Sequence, residues 1–223
     1  WRLQDGMDYA NTASKGVLHT AALYHEMFLY DRYQMGRDTI AKFKKEPPYA
    51  WIIPQEQWDT PVAARMLDNL VFAGIEVYRA KEPFVSGGVT YPSGTWLVPM
   101  DQAFSRFVKA IFEKQDYPDL TKYPTLWQGI VRPQNFPNAY LPPYDMAGWT
   151  LPYQFGVKVV AANTPLEAKL ELLDKVVPAA GRVEGGGGSY LISSQYNNGF
   201  IAANRILQKG GQVYRAQDSF TAG

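Results

Sequence analysis

The chain has no cysteine and only two histidines. The first absence excludes disulfides, thiolate metal sites and a cysteine nucleophile, while leaving the redox compartment open. His19 and His25 stand six residues apart. Positions four apart share a helix face and positions six apart do not, so this pair does not close on one zinc ion, and packing or surface roles are expected for both. A net charge of +1, without any long run of Lys or Arg, leaves no electrostatic footprint for nucleic acid. No apolar run approaches the roughly 20 residues of a membrane span, and the opening Trp-Arg-Leu-Gln-Asp-Gly lacks the charge and apolar core of a signal peptide. The first residue is tryptophan, as expected of a processed product or a piece of something longer.

Between Tyr49 and Phe84 lies the stretch around which the chain is organised. Ala50 to Ile53 form an uninterrupted bulky run, as in a strand buried on both faces, and Pro54 closes it. Asp59 is placed to cap a helix, Pro61 falls in its first turn, and Val62, Leu67, Leu70 and Val71 recur near helical spacing. Gly74 marks the stop, and Ile75 to Tyr78 resume strand character. The pattern predicts a βαβ unit.

The same order returns from Ser189 to Phe220, with Tyr190 to Ile192 and Gln212 to Tyr214 as strands and Asn198 to Lys209 as helix. Both copies carry an Ala-Ala pair (Ala63 and Ala64; Ala202 and Ala203), a glycine stop and the tetrapeptide Val-Tyr-Arg-Ala. Duplication and convergence on a shared βαβ grammar both account for this. Either way, two such units predict an α/β architecture with a largely parallel sheet flanked by helices.

Residues 1–45 read as a helical segment, one long helix over Asp8 to Lys45 or two joined near Gly36, whose apolar face must lie on this domain or on one before Trp1. Residues 49–223 form the α/β domain. Within it, Val89 to Tyr91 and Thr95 to Val98 read as strands around a Pro-Ser-Gly turn. Gln102 to Glu113 reads as a helix capped by Asp101, with Phe104, Phe107, Val108 and Ile111 inward. Gly156 to Ala162 reads as a strand, Pro165 to Val176 as a helix, and Gly185 to Gly188 as a flexible lead-in to the second unit.

Residues 117–153 differ in character. Seven prolines are interleaved there with Tyr117, Tyr123, Trp127, Phe136, Tyr140, Tyr144, Trp149 and Tyr153. Long aperiodic segments of this kind carry function or wrap another surface. Their rings either pin the loop to the core or form a ligand surface, for which Trp127, Tyr140, Tyr144, Asp145 and Trp149 are the candidates. A second candidate site lies where open α/β sheets place ligands, at the carboxyl ends of parallel strands: Gln55, Glu56, Ser194, Gln195 and Asn197, whose plainer role is to make turns and cap helices. Neither Ser193 nor Ser194 stands in a Gly-x-Ser-x-Gly elbow, and no nucleophile and base can be paired. The glycines at 185–188 precede a strand rather than a helix, the wrong context for a phosphate loop.

Four motifs in order, Tyr30-Asp-Arg-Tyr-Gln-Met-Gly-Arg-Asp38, Ala50-Trp-Ile-Ile-Pro-Gln-Glu-Gln57, Gly74-Ile-Glu-Val-Tyr-Arg-Ala80 and Pro143-Tyr-Asp-Met-Ala-Gly-Trp-Thr-Leu-Pro152, resemble the C-terminal part of large bacterial zinc carboxypeptidases of the carboxypeptidase A-like kind. Tyr91 to Gln102 is similar as well. The resemblance implies a parent metallopeptidase, periplasmic or secreted, whose zinc ligands and general base lie in a catalytic domain outside this chain. Residues 1 to about 30 would then be that domain's last helix. It implies for residues 49–223 a flavodoxin-like, class I glutamine amidotransferase-like accessory domain, without the cysteine that amidotransferases use. Such a domain would stabilise the peptidase or help bind peptide or cell-wall substrate. The alternative is a stand-alone sugar- or peptide-binding module using the aromatic loop.

Overall fold

The computed structural model describes residues 1–114, 150–186 and 188–218. Its core is a five-stranded sheet built from β1 (Ala50–Ile53), β2 (Val77–Ala80), β5 (Trp96–Pro99), β6 (Val160–Ala162) and β7 (Leu170–Leu173) in the order β6-β1-β5-β2-β7. A hairpin of β3 (Phe84–Ser86) and β4 (Val89–Tyr91) stands apart from it. Every neighbouring pair is antiparallel. The largely parallel, flavodoxin-like sheet expected from the sequence is therefore overturned. The cause is local: β1 and β2, joined by α3 (Thr60–Phe72), do run parallel to each other, but β5 enters between them and opposes both. Leu97 faces Ile52 on one side and Tyr78 on the other.

Alternation along the strands divides the core. Trp51, Ile53, Val77 and Val98 join Ala63, Ala64, Met66, Leu67 and Leu70 of α3 on one face. Ala50, Ile52, Ala80 and Leu97 meet Phe84 and Tyr91 of the hairpin on the other, those two rings stacked at 5.2 Å. With helices on one face and a hairpin on the other, the central strands are buried on both sides. That is why Ala50 to Ile53 carry no polar residue.

The hairpin turns at Gly87 and Gly88, both at positive φ, so β4 pairs backwards with β3 and not forwards with β5 as the Pro-Ser-Gly turn suggested. The helix expected over Gln102 to Glu113 is α4 (Ser105–Phe112). Asp101 does not cap it. Gln102, buried, occupies the turn instead: its side chain accepts the Glu76 N–H at 2.9 Å and donates to the carbonyls of Glu76 and Pro99. Val108 and Phe112 point inward, whereas Phe104 and Phe107 are 41% and 48% exposed.

After α5 (Leu151–Phe155), Gly156 ends the helix at φ 64° and the chain enters β6. Pro165 to Val176, expected as a helix, instead contains the edge strand β7. Its Leu and charge content suits either period, and pairing with β2 decides for strand: Arg79 lies opposite Glu171 and their side chains bond at 2.9 Å.

The helical segment is α1 (Leu3–Leu23) and α2 (His25–Phe43), broken at Tyr24 and not near Gly36. Backbone bonds continue through the break, Tyr24 to Thr20 and Phe28 to Tyr24, each 3.0 Å. Among the described residues, the C-terminal half of α2 is what anchors the segment. Phe43 enters the core, and buried Thr39 receives the Arg106 Nε–H of α4 at 3.0 Å. The Arg32 guanidinium lies 5.2 Å from the Phe104 ring centre. A β-carbon at Gly36 would stand 3.7 Å from that of Ala103, just before α4, an ordinary contact.

The second βαβ unit is realised only in its helix, α6 (Asn197–Gln208). Tyr190 to Ile192 and Gln212 to Tyr214 form no strand, and Tyr190, Leu191 and Tyr214 are 59%, 69% and 82% exposed.

Candidate functional site

The C-terminal end of β1 and the approach to α6 meet at one edge. Pro54 ends β1 and the chain turns through residues 55–58 to Asp59, the N-cap of α3. Asp59 is buried, 8% exposed, and both its oxygens accept from backbone: Oδ1 from Val62 N–H at 3.2 Å, and Oδ2 from Asn197 N–H at 2.8 Å. A carboxylate suits both places, because the first N–H groups of a helix lack intrahelical partners and carry positive partial charge. The Gln195 side-chain amide donates to the Trp58 carbonyl beside this bond.

The structure thus brings the 55–59 turn and the 195–197 segment together, but not at the ends of two parallel strands of one sheet, since residues 190–192 are not a strand. Gln55, Gln195 and Asn197 each have a structural occupation there. Gln55 donates to the Ser93 carbonyl at 2.6 Å, locking the turn before β5. Gln57 donates to the carbonyls of Pro54 and Lys158 at 2.9 Å and accepts the Lys158 N–H at the same distance, tying β1 to the start of β6. Ser193 Oγ accepts the Gln195 N–H at 3.2 Å. Glu56 and Ser194 are exposed. Asp59, the residue that joins the two segments, was legible only as a helix cap.

Beside this seam a cleft of about 370 Å³ opens between α3, α6 and the chain after β7, lined by Pro61, Arg65, Asp68, Lys175, Pro178 and Asn198. Asp68 already accepts the Val176 N–H at 3.1 Å. The cleft brings two cations, Arg65 and Lys175, beside the Asp68 carboxylate, and no nucleophile with an adjacent base lines it.

His19 lies in α1, and His25 opens α2 with its Nδ1 2.9 Å from the Ala22 carbonyl oxygen. Among the described residues no cluster of three or more His, Cys, Asp or Glu could hold a metal ion, and no helix is long and apolar enough to cross a membrane. Among the described residues, one titrating group departs far from its ordinary value. Tyr78 donates to Glu76 Oε2 at 2.7 Å, and that bond to a carboxylate, with partial burial, pushes the phenol up to about 12. In the edge pair, the Arg79 guanidinium holds the exposed Glu171 carboxyl below the usual range.

Trp127, Tyr140, Tyr144, Asp145 and Trp149 lie outside the described residues. The ligand surface expected of them is therefore not part of this geometry. Set against known proteins, the chain matches no family model, no curated protein and no solved structure.

Proposed function

We propose that this chain is a non-catalytic accessory module of an exported bacterial zinc carboxypeptidase, carried on the peptidase by its helical arm. The observation that bears most weight is that arm. Helix α1 buries none of its 21 residues, while Leu3, Val17, Leu18, Leu23 and Leu29 are each more than 60% exposed. Patches of this kind mark interaction surfaces. At 1.5 Å per residue, α1 and α2 are about 31 Å and about 28 Å long on either side of the break at Tyr24. The ordered motifs supply the partner's identity, and zinc and the general base belong to that partner. The edge chemistry agrees with an accessory role, because Gln55, Gln57 and Asp59 are occupied in holding turns together.

An antibody to this chain, used on the native periplasmic or secreted fraction, should recover a species with stoichiometric zinc and carboxypeptidase activity that chelation abolishes. Leu18→Glu combined with Leu29→Glu should lower that activity while leaving the melting temperature of this chain within a degree or two. Stoichiometric zinc and chelator-sensitive activity in the isolated 223 residues would overturn the proposal. The alternative, a stand-alone sugar- or peptide-binding module, rests on the aromatic sequence of residues 117–153. It requires Trp127→Ala with Trp149→Ala to abolish ligand binding without unfolding the domain.

A further inference from the structure

Strand β7 is one margin of the sheet, and among the described residues it pairs with β2 alone. The ladder fixes which of its backbone groups are used. The Lys169 carbonyl accepts the Lys81 N–H at 2.8 Å, and bonded positions of an antiparallel pair recur every second residue, so Lys169, Glu171 and Leu173 turn their backbone groups to β2. Those of Leu170 and Leu172 point the other way, off the sheet. Leu172, 51% exposed, continues the apolar row of Leu166, Ala168 and Leu170 on the hairpin side of the sheet.

Charges on an edge ordinarily deter pairing. Those of β7 deter every arrangement of two such edges but one. Bonds between outward groups require even-numbered residues to face even-numbered ones, so two antiparallel copies related by a two-fold axis meet only in registers centred on a single residue. Centred on Lys169, that residue opposes its own counterpart and Glu167 opposes Glu171. Centred on Glu171, two carboxylates meet, and centred on Leu172, Lys169 meets Lys175. Centred on Leu170, Lys169 lies opposite Glu171 of the second copy, Glu171 opposite its Lys169, and Leu172 opposite its Ala168. Odd-numbered pairs are the unbonded positions of this ladder, where side chains stand closest. Within one chain Glu171 bonds Arg79 at 2.9 Å and Lys169 bonds Glu82 at 2.8 Å. Across the joint the signs therefore alternate from Arg79 to Glu171, and on to Lys169 and Glu82 of the second copy.

We infer that the outer edge of β7 is the docking surface for a second copy of this chain, joined antiparallel about Leu170 into one continuous ten-stranded sheet. Charge complementarity selects the occupant: of the registers that backbone direction allows, one sets opposite charges face to face and its neighbours set like charges together. Main-chain bonds at Ala168, Leu170 and Leu172 supply affinity, and the alternating charges supply register. This inference stands apart from the accessory-domain proposal and uses none of the arm's residues.

The test uses the full chain. Sedimentation equilibrium from about 1 to about 200 μM should show the mass rise from 25.1 kDa to twice that value. In the dimer the Leu170 and Leu172 amides should exchange at least about tenfold more slowly, while Glu171, already bonded to β2, is unchanged. Lys169→Glu alone and Glu171→Lys alone should each be monomeric, because each sets like charges across the joint. Mixed in equal amounts they should dimerise, since one then offers two carboxylates to two ammonium groups of the other. The in-chain pairs these variants break are at least 43% exposed and contribute little, so each variant should keep the parent's circular dichroism. Leu172→Pro, which removes an N–H that β2 does not use, should also be monomeric. A parent that stays at 25.1 kDa throughout overturns the inference. So does a dimer that survives both charge variants and Leu172→Pro, or one in which Leu170 and Leu172 exchange as they do in the monomer. The exchange readout in the parent decides the matter where a variant unfolds.

Discussion

Asp59 Oδ2 accepts the N–H of Asn197, 138 residues along the chain, at 2.8 Å while the same carboxylate caps its own helix. One side chain therefore fixes the start of α3 and the position of α6. Asp59→Ala should cost about 1–2 kcal/mol in a urea melt, the usual range for a lost cap. It should also speed exchange of the Asn197 amide beyond what global destabilisation explains. Asp59→Asn, which keeps one acceptor, should lose less stability and still free Asn197.

Gly94 makes the opposite kind of contact. At φ 89°, it leaves space that a β-carbon would close to 2.2 Å from Gln55 Nε2, the amide that holds the Ser93 carbonyl. Gly94→Ala should destabilise by about 1–3 kcal/mol, from positive-φ strain plus the displaced amide. Adding Gln55→Ala should recover part of the loss, because the clash is with a movable side-chain end. Chemical denaturation of the single and double variants checks this.

Gly36 separates two effects in one helix. The added methyl of Gly36→Ala would meet Ala103 at an ordinary 3.7 Å, so the variant should be stabilised by up to about 1 kcal/mol from helix propensity. Gly36→Leu should instead push α2 off α4 and lower the melting temperature. Loss of the Arg106 bond to Thr39 would appear as faster exchange near residue 39.

The Tyr78 phenol should titrate at about 12, and Glu76→Gln should bring it back toward 10. Its folded value is raised, so the stability it contributes is full below the unfolded value near 10 and is lost as pH rises through 12. Stability between those limits should therefore fall more steeply in the parent than in Tyr78→Phe. NMR of ring-labelled tyrosine, with that variant for assignment, gives the titration directly.

Much of the first unit was legible because its signals are local. Four buried residues in a row, an aspartate cap, proline in the first turn and a terminal glycine define β1 and α3 without reference to distant residues. Sheet direction was not legible. A right-length helix between two strands shows that they run parallel to each other, which holds for β1 and β2, but not that they are neighbours. Trp96 to Pro99 decides this from outside the unit. Leu170 to Leu173 failed for a related reason, since four residues beside charged ones fit both periods and Val77 to Ala80 select the strand. Phe104 and Phe107 were assigned inward together with Val108 and Ile111, but they are 41% and 48% exposed, and Arg32 of the arm lies over the Phe104 ring. At the candidate edge, Gln55 and Asn197 lie on the two segments that meet, where they hold a turn and a helix start, and the carboxylate uniting those segments is Asp59.

The place of β5 between two strands made earlier also sets the order of events during synthesis. As the chain leaves the ribosome, β1, α3 and β2 emerge without any sheet to join, and their apolar faces must wait for residues 96–99. Closing two long-range pairings at once is slow compared with zipping a hairpin. Until then, the Ala50 to Ile53 run is open to wrong partners, and chaperone dependence should be greatest for nascent chains halted between residues 80 and 96.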